Sequence, residues 1–277
     1  MSRLRVDPSP TPLAAEYDAI DAALRRVQRH DVVFDASAYP HDAVALVREQ
    51  WRTRMVFEHR SSTVFSQLAT QLFEANASLD AKVVMLRMSQ DELRHTATCA
   101  EVVVALGGEA DAEASFELER LAEHAGVSPE QRALRNVLYT TSCSEMIACA
   151  RFVAVLDRMT DPYLREANRR LLADEVLHGQ FGFHYLEAWR GWLDVHPDER
   201  MSLERYLAHA FLVLERELAP LGPFAPLSEA ELALGADDPS LAREVFYGAM
   251  EGAIVPGLER LGLDAGRAFR DRRLASA

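Results

Sequence analysis

The chain has 277 residues, 49% of them apolar, and a formal net charge of −13 at pH 7. That length can bury a sizeable core, and that apolar share excludes a disordered chain. The acidic balance, with no clustered Lys and Arg, excludes a nucleic-acid surface, and no window holds the roughly eighteen uninterrupted apolar residues of a membrane span.

The N-terminal stretch lacks the apolar segment of a secretory signal peptide, so a cytoplasmic protein is expected. A short helix is expected over 13–29, then a loop at DVVFDASAYP. From Asp42 to about Glu74, Val44, Val47, Trp51, Met55, Val64, Phe65, Leu68 and Leu72 recur at helical spacing. ANASLD ends this helix, and a second runs from about Ala81 to Leu106, stopped by Gly107-Gly108. The acidic connector 107–127 is expected to be partly helical. Ser128 as N-cap, Pro129 at the first helical position and Gln131 closing a capping box start a third helix, which reaches about Met159. Pro162 in TDPY opens a fourth, to about Leu193. Residues 200–272 are expected to form two further helices around the loop APLGPFAPLSE, with Pro256 kinking or interrupting the last. Cys99, Cys143 and Cys149 are odd in number and lack CxxC spacing, so they predict buried thiols rather than disulfides or a zinc knuckle. The whole predicts one all-α domain over 1–277, with its core at about 42–193.

Two segments share a skeleton: DELRH at 91–95 and DEVLH at 174–178. Residues three apart share a helix face, so Glu92 with His95 and Glu175 with His178 each present a carboxylate beside an imidazole. One such match is expected by chance. Here there are two, both preceded by Asp, and none of the other seven histidines has Glu three positions earlier. Apolar neighbours direct both pairs into a core, where carboxylates need a metal or counter-charge. A Glu-x-x-His on each of two helices, with one Glu on each of two others, is the donor set of a dinuclear site in a four-helix bundle. The two missing acids follow from turn positions, because residues level on an antiparallel pair are equidistant from the turn. Glu58 and Glu92 centre on residue 75, in ANASLD; Glu145 and Glu175 centre on residue 160, in TDPY. Glu49 would place the turn inside a helix, and Glu74 lies too near the turn. Glu145 is the only acid between Glu130 and Asp157. Carboxylate and imidazole donors suit Fe(II) and Mn(II). Asp91 and Asp174 are expected to hold the second ring nitrogen of the histidine on the opposite helix, with Arg94 paired to an aspartate.

On these residues the chain resembles the ferritin-like di-iron carboxylate superfamily, over about 42–193. The resemblance implies a ferritin-like four-helix bundle with a long crossover at 107–127 and extra N- and C-terminal helices. It implies two Fe ions, or Mn and Fe, held by Glu58, Glu92, His95, Glu145, Glu175 and His178, and O2-activating oxidation of a small organic substrate. Individual families are told apart by neighbouring positions. Cys99 stands where ribonucleotide reductase small subunits carry a radical Tyr, and Leu171 where arylamine N-oxygenases add a His. Cys149 stands where multicomponent monooxygenases have Thr, and rubrerythrin's CxxC is absent. In length and ligand spacing the chain is most similar to aldehyde-deformylating and small tailoring oxygenases.

Residues one turn from the ligands, Ser61, Ser62, Phe65, Cys99, Ser142, Cys149 and Phe181, are expected either to line a substrate pocket or to pack between helices. Trp189 and Trp192 are expected in the core or at its rim. The sequence carries no flavin, NAD or iron–sulfur signature, so an external electron donor is expected, without nucleic-acid or membrane partners, and a homodimer is allowed. Two other functions remain open: a ferroxidase or peroxide-scavenging protein, and a metal-free helical scaffold.

Overall fold

A computed structural model describes residues 2–4, 13–24, 32–114, 118 and 120–274. Its described secondary structure is helical apart from a two-residue antiparallel ladder, β1 (Ser2–Arg3) against β2 (Glu113–Ala114). The first helix, α1, is described over Leu13–Leu24; residues 25–29 of the expected helix lie outside the described residues.

Two long helices, α2 (His41–Glu74) and α3 (Leu79–Ala105), form an antiparallel hairpin. Its turn closes because Asn76 takes a left-handed φ of 48°, which Asn tolerates, letting Ala77 N–H reach the Leu72 carbonyl at 2.9 Å. Gly107, at φ 78°, ends α3 in the same way. The third expected helix is three segments on one axis: α4 (Pro129–Val137), a π-helical stretch over Leu138–Glu145, and α5 (Met146–Arg158). Asp161 caps α6 (Pro162–Val195), which packs along α5 and the π stretch. Gly182 is required there, since a Cβ would collide with Thr141 and Ser142 of the π stretch and meet the Ser142 backbone nitrogen at 3.0 Å.

Three expectations need correction. Ser128 accepts from Gln131 N–H at 3.2 Å, but the Gln131 side chain does not complete a capping box. It is buried and donates to the Glu199 carbonyl at 2.8 Å. The connector carries no helix among its described residues; side chains of neighbouring helices satisfy its backbone instead, Gln67 Oε1 accepting from Leu121 N–H and Asn136 Nδ2 donating to the Ala122 carbonyl. The C-terminal region is not two helices. After α7 (Pro197–Leu218) come α8 (Glu229–Ala233), α9 (Pro239–Ala249), a π turn (Met250–Ile254), α10 (Val255–Arg260) and α11 (Ala265–Asp271). Gly235 and Gly262 at positive φ break the chain there, and the π turn precedes Pro256, which has no N–H to donate.

The apolar core is in two parts. One contains Phe65, Leu72, Met88, Leu134, Ile147, Phe181 and Phe211; the other contains Val47, Trp51, Met55, Cys99, Phe152 and Leu171. On α2, α3 and α6 the buried polar residues between them are Glu58 and Ser62, then Asp91, Glu92 and His95, then Asp174, Glu175 and His178. Among the described residues no helix is long and apolar enough to cross a membrane.

The C-terminal helices are fastened by Glu215 on α7. Its carboxylate accepts from Tyr247 Oη at 2.5 Å and from Arg272 and Arg273, each at 2.8 Å. Burial would raise its pKa, but these bonds hold it well below the usual carboxylate range. A lowered pKa contributes stability that is present above the unfolded value, near 4.3, and disappears as pH falls through the folded value. Glu215→Gln is therefore expected to cost about 2 kcal/mol at neutral pH. The difference in melting temperature between parent and variant should shrink steadily below about pH 4.

Candidate metal centre

Each helix of the two hairpins brings one or more donors to the same height. Glu58 comes from α2, Glu92 and His95 from α3, Glu145 from the end of the π stretch, and Glu175 and His178 from α6. All are buried except Glu145, which is half-buried. Donor atoms of Glu58, Glu92, His95 and Glu175 lie within 4.8 Å of one another, and so do those of Glu145, Glu175 and His178. Glu175 belongs to both groups.

The imidazoles face inward by Nδ1. His95 Nδ1 lies 3.1 Å from Glu175 Oε1 and 3.6 Å from Glu58 Oε2; His178 Nδ1 lies 3.0 Å from Glu92 Oε1 and 3.1 Å from Glu175 Oε2. Close as they are, these approaches lack hydrogen-bond geometry. Both nitrogens of each ring, Glu92 Oε1 and Glu175 Oε2 are buried without a hydrogen-bond partner. Orphaned donors and acceptors that converge on one point are what a metal-ligand set requires, since each lone pair must aim at a common centre rather than at a neighbour. The donor set, carboxylate oxygens with imidazole nitrogens, can hold metal ions of the Fe(II) or Mn(II) kind.

Burial and mutual repulsion set the charges of the protein alone. Burial, with the charge of Glu175 close by, pushes Glu92 up to about 8. Burial and the charges of Glu175 and Glu92 raise Glu145 well above the usual carboxylate range. Burial acts against Glu175 too, but the charges of His178 and His95 overcome it and hold Glu175 ionised. Both imidazoles are raised despite burial, chiefly by Glu175.

The outward nitrogens meet the two aspartates across the bundle: His95 Nε2 is 3.6 Å from Asp174 Oδ2, and His178 Nε2 is 3.6 Å from Asp91 Oδ2. Arg94 lies behind both, with Nη1 2.7 Å from Asp91 Oδ1 and 3.4 Å from Asp174 Oδ2, and Nε 3.1 Å from Asp21 of α1. Arg87 contacts the same aspartates, at 3.2 Å and 3.9 Å. Sequence reasoning missed Arg87 and Asp21. Arg87 stands four residues before Asp91, a helical spacing that was readable; Asp21 joins only through tertiary packing.

A cavity of about 560 Å³ opens between the first half of α2 and α5, and Glu58, Glu92, Glu145 and Glu175 form part of its wall. Of the seven residues one turn from the ligands, Ser61 lines it. Ser62, Phe65, Cys99, Ser142, Cys149 and Phe181 do not line this cavity, because one turn along a helix leads into a seam between helices. Ser62 receives Ser89 Oγ on its carbonyl, Phe65 packs on the His178 ring at 5.4 Å, and Cys99 is in the second apolar cluster. Ser142 faces Gly182, Cys149 Sγ donates to the Glu175 carbonyl at 3.0 Å, and Phe181 stacks on Tyr185. The wall is made instead by residues such as Trp51, Arg54, Phe57, Ala148, Phe152 and Asn168. Trp189 and Trp192 pack partly buried against the first apolar cluster.

The chain matches no family model, and no match is found among curated proteins.

A cluster kept for ligand binding rather than for folding has a distinct signature. Glu145→Gln removes a carboxyl crowded by Glu175 and Glu92, so after chelator treatment the variant is expected to melt at or above the parent temperature, by about 1 kcal/mol in stability. A clear drop in melting temperature would mean that Glu145 serves the fold.

Proposed function

We propose that this chain is a ferritin-like di-metal oxidoreductase that uses O2 on a small organic substrate, with two Fe ions or one Mn and one Fe. The observation that carries the reading is the convergence of orphaned imidazole nitrogens and carboxylate oxygens into two donor groups that share Glu175. Glu58, Glu92 and His95 would hold one ion and Glu145 and His178 the other, with Glu175 a donor in both groups. Bound there, the ions supply the redox and O2 chemistry that side chains lack. Asp174 and Asp91, each 3.6 Å from Nε2 of His95 and His178, would favour the proton on that nitrogen and leave each Nδ1 lone pair to face the centre. Arg87 and Arg94 form ion pairs with both aspartates. The half-buried face of Glu145 is where the centre meets the cavity, so a substrate there lies beside the ligands while α2, α3 and α6 shield the rest from water. Electrons would come from a separate reductase.

Both Glu-x-x-His halves are complete and a cavity reaches the ligands, which favours a retained cofactor over transit of iron into a store. Anaerobic Fe(II) titration of metal-free protein is expected to saturate near two ions per chain. Glu175→Gln should weaken both sites at once, whereas Glu145→Gln should leave one. Uptake far beyond two would replace this reading with iron storage. No specific uptake would eliminate the centre.

A further inference from the structure

The cavity wall contains a cation whose arrangement the metal centre does not explain. Arg54 stands on α2 one helical turn before Glu58. Its guanidinium carbon lies 4.9 Å from the ring centroid of Trp51 and 4.9 Å from that of Phe152, so rings from α2 and α5 hold it in place. Arg54 Nη1 donates to Asn168 Oδ1 at 3.1 Å, and Asn168 is itself buried and tied to the Leu164 carbonyl at 3.0 Å. Arg54, Trp51, Phe152 and Asn168 all line the cavity.

The other charges on that wall are accounted for. Arg151 pairs with Asp237, and Glu49 with Arg52 at 2.6 Å. The remaining acids, Glu58, Glu92, Glu145 and Glu175, make up the cluster. Of the two arginines on the wall, Arg54 alone has no acidic partner among the described residues, although Glu58 is one turn away on its own helix. A guanidinium carries five N–H donors in a planar fork, and the amide of Asn168 engages one nitrogen. Two rings and a buried amide thus orient a cation on a wall whose apolar part includes Leu46, Phe57, Ile147 and Val155.

We propose that Arg54 anchors the carboxylate of the substrate, which is an amphiphilic monocarboxylic acid. A carboxylate matches the fork with two parallel hydrogen bonds. A dianion such as a phosphate monoester fits less well, because one arginine stands near four glutamates. The apolar wall takes the hydrocarbon part, and a cavity of about 560 Å³ is in the range of small-molecule sites. One helical turn is about 5.4 Å, so the carbons that face the cluster are those a few bonds from the carboxylate. As a statement about a substrate, the inference rests on the di-metal reading; the binding site itself can be tested without metal.

The probes are octanoate, octanamide and octylamine, titrated calorimetrically into metal-free protein, where no ion can ligate the carboxylate. Octanoate is expected to bind about ten- to a hundredfold more tightly than octanamide, and octylamine to bind weakest. Arg54→Gln should bring octanoate and octanamide to the same affinity while keeping the parent's melting temperature and Fe(II) stoichiometry. Arg54→Lys, which retains the charge without the planar fork, should keep part of the preference and serves if the glutamine variant does not fold. Equal affinities in the parent, a preference that survives Arg54→Gln, or no binding of octanoate would overturn the proposal. If Fe(II) fails to bind but the preference holds and depends on Arg54, the metal reading falls and the carboxylate site stands. If two Fe(II) bind and octanoate does not, only the carboxylate site falls.

Discussion

Removing an ion from water into a protein interior costs several kcal/mol even after relaxation, whereas a whole domain is stable by only about 5–15 kcal/mol. This chain places four glutamates, two aspartates and two histidines in one layer across the middle of its core, and the layer divides the apolar interior into two clusters. The surrounding structure limits that cost outward, through aspartates that face the imidazoles and arginines that face the aspartates. Inward, both Nδ1 atoms, Glu92 Oε1 and Glu175 Oε2 have no hydrogen-bond partner among the described residues. Such a layer can hold metal ions, which would complete it.

The helices around the layer are shaped to hold it. A π-helical stretch, which widens the turn, ends at Glu145 and packs its Thr141 and Ser142 against the bare backbone of Gly182 on α6. The hairpin of α2 and α3 supplies three of the six donors. The C-terminal elements have a second use: Leu218, Gly235 and Asp237 reach the cavity from beyond the four long helical spans.

Much of this was readable from local pattern. Helical periodicity, Gly107 and Pro162 placed the four long spans within a few residues of their ends, because each end has a steric or capping cause that lies in the adjacent sequence. The convergence of Glu58, Glu92, Glu145 and Glu175 was readable because antiparallel geometry turns the position of a turn into a prediction of height. Other features depended on tertiary contacts. Gln131 has the spacing of a capping box, but a carbonyl at Glu199 competes for its amide. The connector has helix-forming residues, yet Gln67 and Asn136 take its backbone groups. Ser62, Phe65, Cys99, Ser142, Cys149 and Phe181 are all near the ligands along their helices, but only the packing of neighbouring helices decides which face opens to a cavity. Arg54 was unreadable for the same reason, since one of its two rings and its amide come from α5 and α6.

We propose that two metal ions occupy this layer, with Glu175 a donor to both. Crystals of protein loaded anaerobically with Fe(II), measured on both sides of the iron absorption edge, test it directly. Two anomalous peaks about 3.5–4 Å apart are expected, one beside His95 and one beside His178. A layer without anomalous density, or iron bound only elsewhere on the chain, would contradict it.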